Sequence, residues 1–136
     1  MESGSVKELS KYRFEKAISN LKIAKVLYEQ KSYEVALNRA YYSAFDAMRA
    51  INALDGFDSS KHSGVISHFN QEYVKTKIFP TYTSSIIRSA SRLREKSDYE
   101  DFYVADKEET LDIILKVETF IKDVENYLKQ KEIIEK

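Results

Sequence analysis

The segment from Asp106 to Leu128 reads DKEETLDIILKVETFIKDVENYL and carries the clearest structural signal in the chain. Its apolar residues recur every three or four positions, which is the period of an α-helix with one buried face. Asp106 followed by Glu109 has the spacing of an acidic capping box, so we expect this helix to start at Asp106. The predicted buried stripe consists of Ile113, Ile114, Val117, Phe120, Ile121, Val124 and Leu128.

The same periodicity recurs upstream and predicts further helices over residues 6–28, 33–54 and 63–75, with another starting near Pro80. Ser5 with Glu8 has capping-box spacing, Gly56 is placed to end the second helix, and Pro80 suits the first turn of the fourth. With 3 Gly and 1 Pro, the chain lacks the turn residues of a β-rich fold. The sequence therefore predicts an all-α protein: an antiparallel, up-and-down four-helix bundle with one short additional helix, five in total.

Composition limits what the chain does. Its 136 residues make one domain, 1–136, whose core spans about residues 6–128, with termini predicted to fray. Lys and Arg number 22, as do Asp and Glu, which argues against a polybasic surface that binds nucleic acid by charge alone but leaves room for a local basic patch. The absence of Cys excludes disulfides and thiolate sites, and no cofactor is predicted. The N-terminus has no signal-peptide pattern and no apolar run is long enough to span a membrane, so we expect a cytoplasmic protein without membrane contact.

The second predicted helix has an unusual polar face. No Lys or Glu occurs between Glu34 and Lys61, although the other helices use both freely. At 100° per residue the polar residues of this helix share one arc opposite its apolar stripe. Such shorter or flatter side chains suit a pocket or a polar dimer interface, and the alternative is a hydrogen-bond network that only fixes packing. The residues of this arc are Arg39, Tyr42, Ser43, Asp46 and Arg49.

The fourth predicted helix carries a second polar cluster. Arg88, Arg92 and Arg94 lie within seven residues, and Asp98 follows Arg94 by one turn. Arginines so arranged could clamp a phosphate through paired N–H groups. The alternative is salt bridging within the helix. The acidic residues after Ser97 lack the spacing of a calcium loop, so no metal site is predicted.

Two smaller features add to these clusters. Lys61 and His62 precede the third helix, where free backbone N–H groups attract anions. In the alternative interpretation Ser63 caps that helix and Gly64 permits close packing of the chain.

Leu111 and Leu115 lie opposite the inner stripe of the last helix and indicate either self-association or two ordinary exposed leucines.

Five segments, taken together and in this order, resemble the HEPN domain family, most of all its short stand-alone prokaryotic members. They are LNRAYYSAF at 37–45, KHSGVI at 61–66, FNQEYV at 69–74, IFP at 78–80 and LREKSDY at 93–99. The resemblance implies a helical bundle of about five helices that forms a homodimer. It also implies pairing with a small nucleotidyltransferase, often as a toxin–antitoxin module in which this chain is the toxin side.

Active HEPN toxins are metal-independent RNases that use an Arg followed, a turn or two later, by a His near the end of the fourth helix. Arg94 matches that Arg, and Asp98 with Tyr99 matches the ending found in the short subgroup. No His follows His68, however, and His is the group that exchanges protons near neutral pH. The sequence therefore favours a binding role over catalysis.

Three hypotheses follow. In the first, a polar cleft between the second and fourth helices binds a nucleotide or an RNA phosphate, and Tyr99 or Tyr103 accepts a nucleotidyl group. In the second, the chain is a divergent RNase whose catalytic residues are Arg94 and Asp98. In the third, it is a non-catalytic helical dimer. The first requires that the polar groups of both helices converge, and its ligand-binding residues are Arg39, Tyr42, Asp46, His62 and Tyr99, beside Arg94 and Asp98.

Overall fold

The computed structural model describes residues 3–135 and shows an all-α bundle, as the sequence predicts. Met1, Glu2 and Lys136 lie outside the described residues, so predictions that include them are not addressed there. A π-helical turn, Asn70–Val74, continues the third helix. The five α-helices are α1 (Ser3–Glu29), α2 (Tyr33–Ala53), α3 (His62–Phe69), α4 (Tyr82–Tyr99) and α5 (Lys107–Gln130).

Two of the four predicted helix-end signals are confirmed. Asp106 is the N-cap of α5, and its carboxylate accepts a hydrogen bond from the Glu109 backbone N–H at 2.7 Å. After α2, Gly56 takes a positive φ of 71°, and the N–H of Phe57 bonds the Asn52 carbonyl at 3.2 Å. This left-handed residue closes the helix because glycine adopts the conformation without steric cost.

The other two signals are wrong. Helix α1 already begins at Ser3, so Ser5 lies within the helix and cannot cap it. Pro80 lies before α4, whose N-cap is Thr81, and the Pro80 carbonyl accepts the N–H of Thr83 at 3.0 Å. Both predicted helix starts are wrong by about one turn of helix or less. At that scale, packing against the rest of the protein can move a helix end away from the position that the local sequence favours.

The α3 segment differs from prediction in its second half. Residues 70–74 widen into a π-helical turn, although the sequence predicts one regular helix to Lys75. The turn places the adjacent residues Tyr73 and Val74 both in the core. The Tyr73 hydroxyl donates to Asp55 at 2.8 Å, which ties this turn to the end of α2.

Helix α2 is the centre of the bundle and packs against α1, α3, α4 and α5. Its alanines let α1 approach closely, and two serines join the pair. Ser10 donates to the Ala50 carbonyl and Ser43 donates to the Ala17 carbonyl, each at 2.7 Å. Ser43 is fully buried, so it fixes the packing of α1 on α2 and does not face a ligand.

Helix α5 closes the core on the other side. All seven residues of its predicted inner stripe are buried. Beyond Gln130, Ile133 and Ile134 turn back and pack against the core. No helix within residues 3–135 combines the length and apolarity needed to cross a membrane.

Candidate functional site

A polar cleft lies beside α1 and α2, with the start of α3 at one edge. We call it the α1–α2 cleft; its volume is about 520 Å³. On α2 the lining residues follow helical spacing, which places their side chains on the face left free by the core. Four of the residues predicted from sequence line it, namely Arg39, Tyr42, Asp46 and His62, together with Lys16, Asn20, Phe45 and Arg49.

Asn20 organises the middle of the cleft. Its amide donates to the Asp46 carboxylate at 2.9 Å, and its carbonyl accepts a hydrogen bond from Arg39 at 3.3 Å. Asp46 is buried, and burial raises the pKa of this carboxyl, although Lys16 and the Asn20 hydrogen bond lower it in part. Arg39 is exposed and keeps the remaining N–H groups of its guanidinium directed to solvent or ligand.

A second carboxylate, that of Asp58, links the loop before α3 to α1 and α2. Asp58 accepts from Arg13 at 3.0 Å and from Arg49 at 3.2 Å. Burial alone would raise the pKa of Asp58, but the Ser59 N–H and the Arg49 and Arg13 guanidiniums lower it below its usual range. The contact joins α1, α2 and the loop, and it therefore helps to position His62.

Gly64 allows this loop to lie close to α3. A Cβ atom at Gly64 would come within 2.6 Å of the Ser59 hydroxyl oxygen. The expectation of close packing at Gly64 is thus confirmed. Ser63, by contrast, does not cap α3, because the helix begins one residue earlier and its N-cap is Lys61.

His62 is held by Tyr41, a buried tyrosine of α2. The Tyr41 hydroxyl lies 2.9 Å from His62 Nδ1, and the imidazole ring lies 4.3 Å from the Phe45 ring, between centroids. Burial raises the pKa of Tyr41 to about 12, so its phenol is neutral at physiological pH. No other partner receives the Tyr41 hydroxyl proton within residues 3–135, so we assign it to His62 Nδ1.

This assignment fixes the state of the imidazole. Burial lowers the pKa of His62, and the positive charges of Arg94 and Arg49 lower it further, so the ring is neutral near pH 7. With Nδ1 accepting from Tyr41, the remaining proton is on Nε2. His62 therefore offers the cleft a hydrogen-bond donor, and its basic nitrogen is already occupied.

Helices α2 and α4 meet at the same tyrosine. The Arg94 guanidinium lies 4.6 Å from the centroid of the Tyr41 ring and 5.8 Å from that of Tyr42. It also donates to Asp98 at 3.3 Å. Tyr41 thus has His62 at its hydroxyl and Arg94 on its ring, but neither Arg94 nor Asp98 is among the residues that line the α1–α2 cleft.

Two tyrosines of the sequence hypotheses lie elsewhere. Tyr99, the last residue of α4, is 74% exposed and is not among the residues that line the cleft. The Tyr103 hydroxyl is buried without a hydrogen-bond partner among the described residues. The Tyr99 side chain is therefore accessible to a partner protein, whereas the Tyr103 hydroxyl is not.

Several residues of the cleft escape sequence reasoning. Lys16 and Asn20 lie one turn apart on α1, a pattern typical of any solvent-exposed helix face. Phe45 is an aromatic residue of the kind expected in the core, so the sequence does not indicate that it lines a cleft. The pairing of Arg13 with Asp58 joins residues 45 apart in sequence, for which a single sequence holds no signal.

No group of three His, Cys, Asp or Glu side chains within residues 3–135 is arranged to hold a metal ion.

Comparison with known proteins places this arrangement in a family. The model for the HEPN domain matches residues 10–127. The chain belongs to the HEPN domain family. The match includes most of α1 and α5, all of the helices between them and every residue that lines the α1–α2 cleft, and it confirms the resemblance drawn from the sequence.

Three relatives of this HEPN chain match between 77% and 98% of its length. Two are proteins of Methanocaldococcus jannaschii whose names begin with "Putative toxin". One is 31% identical over 134 residues, covering 98% of this chain and 90% of the relative, and the other is 34% identical over 117 residues, covering 84% of each. A Thermotoga maritima protein named as a UPF0332 protein is 31% identical over 105 residues, covering 77% of this chain and 80% of the relative.

Proposed function

We propose that this HEPN protein binds the phosphate of a nucleotide or of RNA in the α1–α2 cleft. The observation that carries the proposal is the set of donors there: Lys16, Arg39 and Arg49 bring three positive charges, against the carboxylate of Asp46 in the lining and that of Asp58, which pairs with Arg49. The Asp46 carboxylate already accepts from Asn20. His62 Nε2 adds a neutral donor, and Tyr42 offers an aromatic ring for a base to stack on.

Isothermal calorimetry with ATP, GTP and a short RNA tests this proposal. Arg39→Ala should weaken binding by about tenfold, the loss of one charge-assisted hydrogen bond of about 1.4 kcal/mol. Lys22→Ala is the matched control, because Lys22 is exposed on α1 and does not line the cleft. Absence of heat and of NMR shift changes with all three ligands would remove the binding role.

We further propose that the chain is the toxin side of a toxin–antitoxin pair and works with a small nucleotidyltransferase. Family membership and the names of the two archaeal relatives support the toxin assignment. The exposure of Tyr99 supports a nucleotidyl acceptor there. Its phenol oxygen would bond to the α-phosphorus of a nucleoside triphosphate, pyrophosphate would leave, and the phenolic proton would pass to water or to the partner enzyme.

Mass spectrometry of the chain after incubation with ATP and a small nucleotidyltransferase tests this step. We expect one added nucleotide on Tyr99 and none on Tyr103, because the Tyr103 hydroxyl is buried. Tyr99→Phe should abolish the addition, whereas Tyr103→Phe should leave it unchanged. An addition that persists in Tyr99→Phe would contradict the assignment.

A second candidate function is metal-independent RNA cleavage by Arg94 and Asp98. The observation that favours it is their direct contact at 3.3 Å. Asp98 would take the proton of a 2′-hydroxyl as its oxygen bonds to phosphorus, and Arg94 would stabilise the charge on the phosphorane. The P–O5′ bond would then break, and protonated Asp98 or water would give a proton to the departing 5′-oxygen. Labelled RNA incubated with EDTA provides the test: cleavage that is the same in wild type and Arg94→Ala would eliminate this site.

We also propose that the chain forms a homodimer. Val26, Leu111 and Leu115 line an apolar groove of about 340 Å³ between α1 and α5, and Leu115 is 51% exposed. A second copy that covers this face would remove apolar surface from water. Leu115→Glu should shift the sedimentation of the protein to that of a monomer, and Thr119→Glu, an exposed residue one turn away, should not.

A further inference from the structure

Asp46 lines the α1–α2 cleft with a carboxylate of which only one oxygen is bonded within residues 3–135. The residue is only 7% exposed. Its Oδ2 accepts a hydrogen bond from the Asn20 amide at 2.9 Å. Its Oδ1 receives no hydrogen bond from the described residues and is still accessible, so it is open to the cleft. The cleft thus contains a free acceptor on a nearly buried carboxylate.

The bond to Asn20 does not by itself require a carboxylate at position 46. One acceptor oxygen is sufficient for that bond, and the neutral amide of an asparagine would supply it. A buried carboxylate, in contrast, costs free energy unless its oxygens are hydrogen-bonded. A ligand that donates to Oδ1 would therefore complete the hydrogen bonding of Asp46.

The part of the ligand that contacts Asp46 is not a phosphate. Two negative groups in contact repel each other, and the repulsion is stronger where water is excluded. The cations Lys16, Arg39 and Arg49 also line the cleft and attract the phosphate instead. Asp46 is thus left to contact the base or the sugar of a bound nucleotide.

The position of Asp46 relative to Tyr42 favours the base. The two residues lie one turn apart on α2, and both line the cleft. Side chains with this spacing have Cβ atoms about 5–6 Å apart, which is comparable to the width of a base. A base stacked on the Tyr42 ring would therefore turn its edge toward Asp46.

The chemistry of a carboxylate selects among the bases. An ionised carboxylate only accepts hydrogen bonds, and each of its oxygens has more than one acceptor site, so Oδ2 can accept a second bond beside that from Asn20. Guanine offers two adjacent donors on one edge, the N1–H and the N2 amino group. On the corresponding edge of adenine or cytosine the amino group adjoins a ring nitrogen that accepts, and in uracil the N3–H lies between two carbonyls. Guanine is therefore the base that matches Asp46 without placing an acceptor against it.

We propose that Asp46 is a specificity-determining residue that selects guanine, with its carboxylate accepting from the N1–H and the N2 amino group of the base. The preferred ligand of the α1–α2 cleft is then a guanine nucleotide. This inference rests on the proposed function of the cleft, which places the phosphate at the cations, and it names the base.

Calorimetry of the wild-type chain with three triphosphates tests the inference. ITP has the N1–H of GTP but lacks the N2 amino group, and ATP lacks both donors. Affinity should fall by about tenfold from GTP to ITP and by about a further tenfold to ATP, because each step removes a hydrogen bond to a charged acceptor. Equal affinities for GTP, ITP and ATP, each weakened in Arg39→Ala, would overturn the guanine proposal alone. Absence of binding by all three would overturn the phosphate proposal as well.

Asp46→Asn reverses the hydrogen-bonding character at the cleft. The new side chain keeps an oxygen for the Asn20 amide and presents an amino group to the ligand. It should bind GTP about tenfold more weakly than wild type. It should bind XTP about tenfold more tightly than wild type, because xanthine has a carbonyl oxygen where guanine has the N2 amino group. A preference for GTP that persists in this variant would overturn the proposal.

The matched control is Asp112→Asn, the same substitution at an exposed residue of α5 that does not line the cleft. It should leave the order GTP, ITP, ATP and all three affinities unchanged. Circular dichroism checks the folding of both variants, and if Asp46→Asn does not fold, the three wild-type affinities still decide the question.

Comparison of GTP with dGTP distinguishes the sugar from the base. The two should bind equally, because the proposal assigns Asp46 to the base. A loss with dGTP that is absent in Asp46→Asn, together with equal affinities for GTP and ITP, would assign Asp46 to the 2′-hydroxyl and overturn the proposal. The pentanucleotides UUGUU and UUAUU repeat the test for guanine within RNA, and a preference for UUGUU that is lost in Asp46→Asn would support it.

Discussion

The α1–α2 cleft and a groove between α3 and α4, lined by Arg88, Arg92 and Glu95 among others, both contain arginines, but their side chains are held differently. In the cleft Arg49 is bonded to Asp58 and Arg39 to Asn20, so the protein itself sets their positions. In the groove Arg88 and Arg92 have no such partners among residues 3–135. The difference indicates that hydrogen bonds preorganise the cleft arginines, whereas no hydrogen bond among residues 3–135 fixes the side chains of the groove arginines.

The largest effect on stability should come from Asp58, the carboxylate of the loop before α3 that binds two arginines. Asp58→Ala should lower the free energy of unfolding by about 1–2 kcal/mol, because the Arg13 side chain, only 11% exposed, loses its carboxylate. Urea denaturation measures this change. Asp112→Ala is the control: its pair with Lys116 is exposed, and its loss should cost less than about 0.5 kcal/mol. Equal losses in the two variants would show that the cleft network does not stabilise the fold.

The contribution of Asp58 should depend on pH in a defined direction. Its pKa is lower in the folded than in the unfolded chain, so ionised Asp58 stabilises the fold above the unfolded pKa of about 3.9. The difference in unfolding free energy between wild type and Asp58→Asn should therefore shrink as pH falls below about 4. Thermal denaturation from pH 7 to pH 3 measures it. A difference that grows on acidification would mean that the pKa shift has the opposite sign.

An intermediate effect is expected at Tyr41. Tyr41→Phe removes one buried hydroxyl and should cost about 1 kcal/mol, since His62 Nδ1 loses its donor. Nitrogen NMR of the imidazole should also show that the proton no longer resides on Nε2 alone. Tyr82→Phe is the control, because its hydroxyl bonds Asp123 at an exposed position far from both histidines in sequence. An unchanged His62 spectrum in Tyr41→Phe would refute the tautomer assignment.

The smallest predicted effect on stability is at Arg92 in the groove, where the substitution should stabilise the fold. Arg92→Gln should raise the free energy of unfolding by about 0.2–0.5 kcal/mol, because it removes repulsion with Arg88 one turn away. Arg39→Gln in the cleft should not stabilise, since Arg39 loses its bond to Asn20. Urea denaturation at low salt, where screening is weakest, compares the two. A stability loss in Arg92→Gln would mean that the protein already balances that charge.

The sequence by itself determined the elements of this bundle. Helical periodicity is a local property, so the inner stripe of α5, the cap at Asp106 and the left-handed Gly56 were all predictable from neighbouring residues. The ordered segments around LNRAYYSAF and LREKSDY were sufficient to indicate the HEPN family. The extents of α1 and α3 were less predictable, because a start at Ser3 and a π-helical turn at Asn70 leave no clear local pattern.

The tertiary structure alone decided which polar groups meet. Sequence spacing put Arg39, Tyr42 and Asp46 on one face, but it could not show that Ser43 in the same arc bonds α1, or that Tyr99 points away from the cleft. The tyrosine that joins His62 to Arg94 belongs to the apolar stripe of α2, and only packing brings these three side chains together. The reason is physical: hydrogen bonds between helices depend on rotation and crossing of whole elements, which the period of any one helix does not encode.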